Sequence, residues 1–174
     1  DPYLSRGLGD VYKRQDACSL VMVGDGPLLS IAQDRARQLG LEHLVQFPGV
    51  LSPDAVAQEM RRARVFVQHS RTAEDGDEEG CPVSVMEAQL CGLPVVATRH
   101  GGIPDVVVDQ QTGRLVEEGD HRGMAEAMAL LADRPELAAA WGAAGQRRTQ
   151  ARFTVKHHVD QITMLLNDLV DHRP

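Results

Sequence analysis

The chain has 174 residues, of which 43% are hydrophobic, 25% charged and 3% aromatic, with a formal net charge of −7. That length supports one domain with a real core of aliphatic side chains, and the acid excess argues against a nucleic-acid-binding face, which needs clustered Lys and Arg. No run reaches the ~20 apolar residues of a membrane span, the opening residues show no charged-then-apolar stretch of the secretory kind, and Cys18, Cys81 and Cys91 have no metal-like spacing, which implies reduced thiols in a cytosol.

Residues 1–15 (DPYLSRGLGDVYKRQ) have no clear period and resemble translated adaptor read-through. They are set aside as a non-native segment, leaving residues 16–174 as the domain. Cys18 to Val23 reads as a buried strand. Gly24-Asp25-Gly26-Pro27 ends it and opens a helix from about Pro27 to Leu39, closed by Gly40. Val45 to Phe47 is a short strand, and Ser52 then caps a helix with Pro53 at its first position, running to about Ala63. Val65 to Gln68 is the next strand, followed by a polar, acidic loop from His69 to Cys81.

Pro82 to Cys91 reads as a helix with Pro82 near its first position, stopped by Gly92. Pro94 to Thr98 is a strand, and Arg99 to Pro104 a Gly-rich loop leading into a helical turn. A turn at 110–113 precedes a small strand from Arg114 to Val116. Asp120 caps a helix to about Ala132, Pro135 starts another to about Gln150, and a last helix covers about Thr154 to Val170. In that helix Val155, Val159, Ile162, Leu166 and Leu169 form an amphipathic stripe. Short β-branched strands alternating with helices predict an α/β fold: a Rossmann-like, doubly wound parallel sheet with helices on both faces, plus carboxy-terminal helices. Ligands of such sheets bind beyond the carboxyl ends of the strands, where the loops 69–81 and 99–104 both fall.

Glu79 and Glu87 stand eight residues apart around that loop-to-helix break. One falls just before a helix start and the other about two turns inside it. Between them lie free backbone N–H groups and the positive end of a helix dipole, which make an anion site. The layout suits a ligand with phosphate in the middle and hydroxyls at both ends, as in a sugar nucleotide. Glu87 could instead pair with a basic neighbour on its helix face, although a carboxylate on so apolar a helix needs partners if it is buried.

Other motifs carry weaker chemistry. The turn at Gly24 and Gly26 serves either close backbone approach to a phosphate or a tight strand-to-helix reversal, and its spacing is not that of a nicotinamide site. The acidic run Glu74, Asp75, Asp77, Glu78, Glu79 lacks the glycine and bidentate Glu positions of a calcium loop and reads as solvated. His100-Gly101-Gly102 has no accompanying nucleophile elbow, so hydrolase chemistry is unsupported. Cys81 reads as a packing or neutral contact, and His157-His158 as surface.

From about Leu20 to Phe153 the chain resembles the carboxy-terminal, donor-binding domain of a retaining GT-B glycosyltransferase of the group 1 (sucrose-synthase-like) family. The matching pieces are VGDGP at 23–27, FPGV at 47–50, EGCPVSVMEAQLCGLPVVAT at 79–98, HGGIPDVV at 100–107, TGRLVEEGD at 112–120 and RF at 152–153, in order and spacing. The resemblance implies transfer of a sugar from a UDP- or GDP-sugar to an acceptor in cell-surface polysaccharide or glycoconjugate assembly. The anomeric configuration would be kept, without a tightly held metal or other cofactor. Glu79 would be the catalytic-site residue, accepting hydrogen bonds from donor-sugar hydroxyls. Gly80, Cys81, Pro82 and Val83 would hold the diphosphate and Glu87 the ribose, with Gly24, Gly26 and Leu51 bordering the donor.

The family carries an Arg and a Lys near the start of this domain, at positions that would precede Asp16. Lys13 and Arg14 lie outside the family's context and are not assigned. The acceptor, a sugar or a lipid-linked sugar, would be met by an amino-terminal domain absent from this chain, so the piece alone would be inactive. The setting would be cytoplasmic, at the inner membrane face where the acceptor is lipid-linked. Competing readings are a GT-B nucleotide-sugar 2-epimerase and a non-catalytic nucleotide-binding module.

Overall fold

The structure, a computed structural model, describes residues 18–78 and 80–171, without the side chain of Asp171. Residues 1–15 and Glu79 therefore lie outside the described residues. Two compact units divide the chain, the first ending at Val56 and the second starting at Ala57.

In the first unit β1 (Leu20–Val23) pairs in parallel with β2 (Val45–Gly49), Leu20 opposite Val45. Helix α1 (Leu29–Gln38) joins them, and Gly40 ends it as expected, at φ +67° with its N–H on the carbonyl of Arg37. β2 runs past the expected Phe47 and takes in Pro48. Proline has no N–H to give a ladder, and the register slips at that point, from Val21 opposite Gln46 to Val23 opposite Gly49.

β1 departs from the expected buried strand: Leu20, Met22 and Val23 are 38%, 43% and 41% exposed. It has one sheet neighbour among the described residues, and a strand covers both faces only when layers lie on each side. Helix α2 (Pro53–Arg62) opens as its sequence predicts, with Ser52 Oγ accepting the amide of Ala55 at 3.3 Å.

The second unit holds a three-stranded parallel sheet in the order β3 (Phe66–Gln68), β4 (Val95–Thr98), β5 (Gly113–Val116). Phe66 lies opposite Val95, and Val95 opposite Gly113. Helix α3 (Val83–Leu90) connects β3 to β4, and the short α4 (Ile103–Val106) connects β4 to β5. Helices α5 (His121–Asp133), α6 (Pro135–Arg152) and α7 (Val155–Asp171) follow. Asp120 caps α5 as expected, its Oδ1 accepting the amide of Gly123 at 2.8 Å.

All four residues of β4 are buried. Because successive side chains point to opposite faces, both faces of this central strand are covered. Val96 packs with Val116, and with Met124, Ala127, Leu131 and Ala138 of α5 and α6. Helix α3 lies against β3 and β4, with Val85 and Ala88 fully buried. This alternation of parallel strands and helices is the Rossmann-like arrangement that the pattern predicts.

A buried polar cluster ties α3 to the rest of this unit. Gln89, 0% exposed, donates from Nε2 to Thr112 Oγ1 at 3.1 Å and accepts from Thr149 Oγ1 at 2.6 Å. Helix α6 approaches most closely at Gly142, where an added Cβ would run into the carbonyl of Gly92. The predicted stripe on α7 forms, and Val155, Val159, Ile162, Leu166 and Leu169 are exposed along it.

Candidate functional site

The sequence-predicted site residues fall in both units. Gly24, Gly26 and Leu51 belong to the first. The Gly24 amide donates to the carbonyl of Gly49 at 2.9 Å, so the 24–26 turn and the chain leading to Leu51 share the carboxyl edge of the β1–β2 sheet. Gly24 takes φ +125°, a conformation L side chains rarely adopt. Asp25 Oδ1 accepts the amide of Gly26 at 2.7 Å, and the carbonyl of Gly26 starts α1 by accepting from Leu29 at 3.1 Å.

Gly80, Cys81, Pro82, Val83 and Glu87 belong to the second unit, where β3 and the acidic loop feed α3. Pro82 is the N-cap rather than a residue of the first turn, with φ −62° and ψ 124°, and Val83 is the first helical residue. The reason is local: a cap residue is extended, proline's fixed φ suits that conformation, and it has no amide to leave unpaired. The cap residue Pro82 makes no side-chain bond to the helix start, and no acidic residue stands in its first turn. Amides at such an end, with the positive pole of the helix behind them, attract an anion.

Glu87 lies on the exposed side of α3, in a stripe with Val83 and Leu90, while Val85, Ala88 and Gln89 face inward. Residues four apart lie on one helix face, so Glu87 shares its face with Val83, the first helical residue. Its carboxylate has no hydrogen-bond or ion-pair partner among the described residues. The apolar face is thus buried without the glutamate, which leaves the carboxylate open to a ligand.

The loop after β4 closes on this helix start. The Gly102 amide donates to the carbonyl of Gly80, and a Cβ on Gly102 would sit 2.8 Å from that oxygen and 3.2 Å from Cys81 Cβ. Glycine is required there for close approach. Two residues earlier His100, 3% exposed, meets Glu118 with Nδ1 2.6 Å from Oε1. Glu118 Oε2 also accepts the backbone amide of Thr72 at 2.9 Å, and Thr72 Oγ1 donates to Glu78 Oε1 at 3.1 Å. The hydrogen bond from His100, then that from the Thr72 amide, hold the Glu118 carboxyl below its ordinary value.

Sequence reading missed Glu118 and Thr72 as members of this cluster. Both follow strands at the carboxyl edge, Thr72 after β3 and Glu118 after β5, and that placement is the signal that could have drawn attention to them. Of the acidic run, Glu74, Asp75 and Asp77 are exposed and the loop turns on itself, the Ala73 amide donating to the Asp77 carbonyl at 3.0 Å. Among the described residues no three His, Cys, Asp or Glu side chains gather as a metal site.

Comparison with known proteins shows a family likeness. The model of the family described as glycosyl transferases group 1 matches residues 5–148. A GDP-mannose-dependent alpha-(1-6)-phosphatidylinositol monomannoside mannosyltransferase of Mycolicibacterium smegmatis is 40% identical over 146 residues, covering 82% of this chain and 38% of that protein. The putative colanic acid biosynthesis glycosyltransferase WcaL of Escherichia coli is 40% identical over 119 residues, 67% of this chain and 29% of that one. Among solved structures, Anabaena Alr3699/HepE in complex with UDP superposes with a TM-score of 0.76 at 26% identity, covering 87% of this chain and 41% of that chain. The chain therefore spans less than half the length of each of these three proteins.

Proposed function

The chain belongs to the group 1 glycosyl transferases, and on that footing we propose that it is the donor-binding part of a retaining GT-B enzyme. The enzyme would move a sugar from a nucleoside diphosphate sugar to an acceptor in cell-surface polysaccharide or glycoconjugate assembly. The observation that carries this reading is the α3 start, where Pro82 makes no side-chain cap bond, together with Glu87, exposed on the helix face of Val83 and without a hydrogen-bond or ion-pair partner among the described residues. The amides at Val83 and Ser84 would take the diphosphate and Glu87 the ribose hydroxyls. Glu79, next in the chain to Gly80, would accept from hydroxyls of the donor sugar. A diphosphate leaving group gains charge as the glycosidic bond breaks, and fixed amides aimed at it lower that barrier without reorganising.

The names of the mannosyltransferase relatives favour a GDP-linked donor, and the UDP complex of the Anabaena protein keeps UDP in contention. We place acceptor recognition, by a sugar or lipid-linked sugar, in an amino-terminal domain of the kind that completes the length of the relatives. We expect the present chain alone to bind donor without turnover, in a cytoplasmic setting. No helix among the described residues is long and apolar enough to cross a membrane.

The test is calorimetric titration with UDP, GDP and ADP, for the parent chain and for Glu87→Ala. One nucleotide should bind the parent, and the variant should lose at least about tenfold in affinity, since it removes charge-assisted hydrogen bonds. Equal binding by Glu87→Ala would sink the site assignment. Nucleotide binding without sugar transfer by the complete enzyme would point instead to a non-catalytic module.

A further inference from the structure

Resting on the donor-site reading above, we infer that Glu118 is a positioning residue that latches both loops around the α3 start into one rigid frame. Its two carboxylate oxygens are divided between them. Oε1 meets His100 Nδ1 at 2.6 Å, on the glycine loop, and Oε2 takes the Thr72 amide at 2.9 Å, near the beginning of the acidic loop. Thr72 reaches across to Glu78 at 3.1 Å, and Gly80 is tied to Gly102. The acidic loop is therefore fastened near both its ends, to Glu118 through Thr72 and to the glycine loop through Gly80.

The beginning of the loop is fixed a second time from below. Thr98 Oγ1, at the end of β4, donates to the Ser70 carbonyl at 2.7 Å and accepts the Ser70 amide at 3.0 Å. With Ser70 anchored to β4 and Thr72 to Glu118, the loop leaves the sheet on a set path. Glu118 itself lies two residues past the end of β5, and β5 is held in register against β4. A carboxylate mounted on the rigid sheet thus sets where two loops meet, and the amides at the start of α3 lie at that junction. Preorganised donors of this kind bind an anion without a cost of ordering at the moment of binding.

Glu118 touches no donor in this reading, so its effect must pass through the loops. A misplacement of about 1 Å, even from a change far from the reacting atoms, can cost a site on the order of a hundredfold. Glu118→Gln keeps the side chain's shape and one acceptor oxygen but loses the charge. Glu118→Ala removes both ties. Hydrogen exchange of the Thr72 and Gly102 amides reports the latch, exchange in β4 reports the fold, and titration with the nucleoside diphosphate bound by the parent reports the site.

The expected result is faster exchange at Thr72 and Gly102 in both variants, with β4 protection unchanged and affinity about tenfold weaker in Glu118→Ala. Parent-like affinity in Glu118→Ala would overturn the inference while the donor-site reading stands, provided Glu87→Ala still loses binding. Loss of protection throughout β4 would also overturn it, by making Glu118 a general stabiliser. Failure of the parent to bind any nucleoside diphosphate would overturn both, and is seen without any Glu118 variant.

Discussion

The amide of Gly102 is bonded to the carbonyl of Gly80, and this contact sets the distance between the glycine loop and the entry to α3. Residue 102 has φ −83°, so its need for glycine is one of space rather than backbone conformation. In Gly102→Ala the new methyl would lie 2.8 Å from the Gly80 oxygen, a backbone atom that yields only if the chain moves. Overpacking of this kind costs about 1–3 kcal/mol, and nucleotide affinity should fall with it as the α3 start shifts. Gly80→Ala is the control, since its Cβ meets nothing within 4 Å. Denaturant midpoints for both variants decide the point: equal losses would refute the steric account.

The buried amide of Gln89 holds α3 to α6 through Thr149 and to the turn before β5 through Thr112. Gln89→Leu keeps the volume but leaves the Thr149 hydroxyl, 1% exposed, without its acceptor. A buried polar group stripped of its partner costs about 1–3 kcal/mol. Urea unfolding should show a loss in that range with the slope unchanged. A neutral result would mean that the hydroxyl finds another acceptor.

Glu118 should also mark the acid limit of the loop junction. Its bonds to His100 and Thr72 favour the carboxylate, so its folded pKa is depressed. A carboxyl shifted this way stabilises the fold above its unfolded value, and that contribution is lost as pH falls through the folded one. The latch should therefore persist through the ordinary glutamate value near ~4.3 and open below it. A carboxyl-detected NMR titration should place Glu118 below a glutamate in an unstructured peptide, with Thr72 amide exchange accelerating at the same midpoint. A midpoint at or above the peptide value would contradict the hydrogen bonds.

Much of this molecule follows from short-range rules. Ser52 and Asp120 cap their helices as their positions before Pro53 and His121 predict, because an N-cap acts on an amide only a few residues away. The strand–helix alternation is readable for the same reason: apolar period and Gly or Pro stops are local signals. The Glu79–Glu87 spacing marked the α3 entry, since one loop-to-helix break determines where a free helix start falls. It also put Pro82 one position too far into the helix, because proline's φ fits cap and first turn alike.

Sequence by itself thus determined the order and kind of the elements, the family pieces and the helix that carries Glu87. Tertiary structure decided what surrounds that helix. Thr72 meets Glu118 across 46 residues, and Thr149 meets Gln89 across 60. The same placement left Leu20, Met22 and Val23 of an apolar strand partly open and turned Glu87 away from the core. Such outcomes have no period or cap to announce them. They depend on which side chains the packed sheet brings to one edge, and hydrogen bonds between distant residues form only after that packing has fixed their separation.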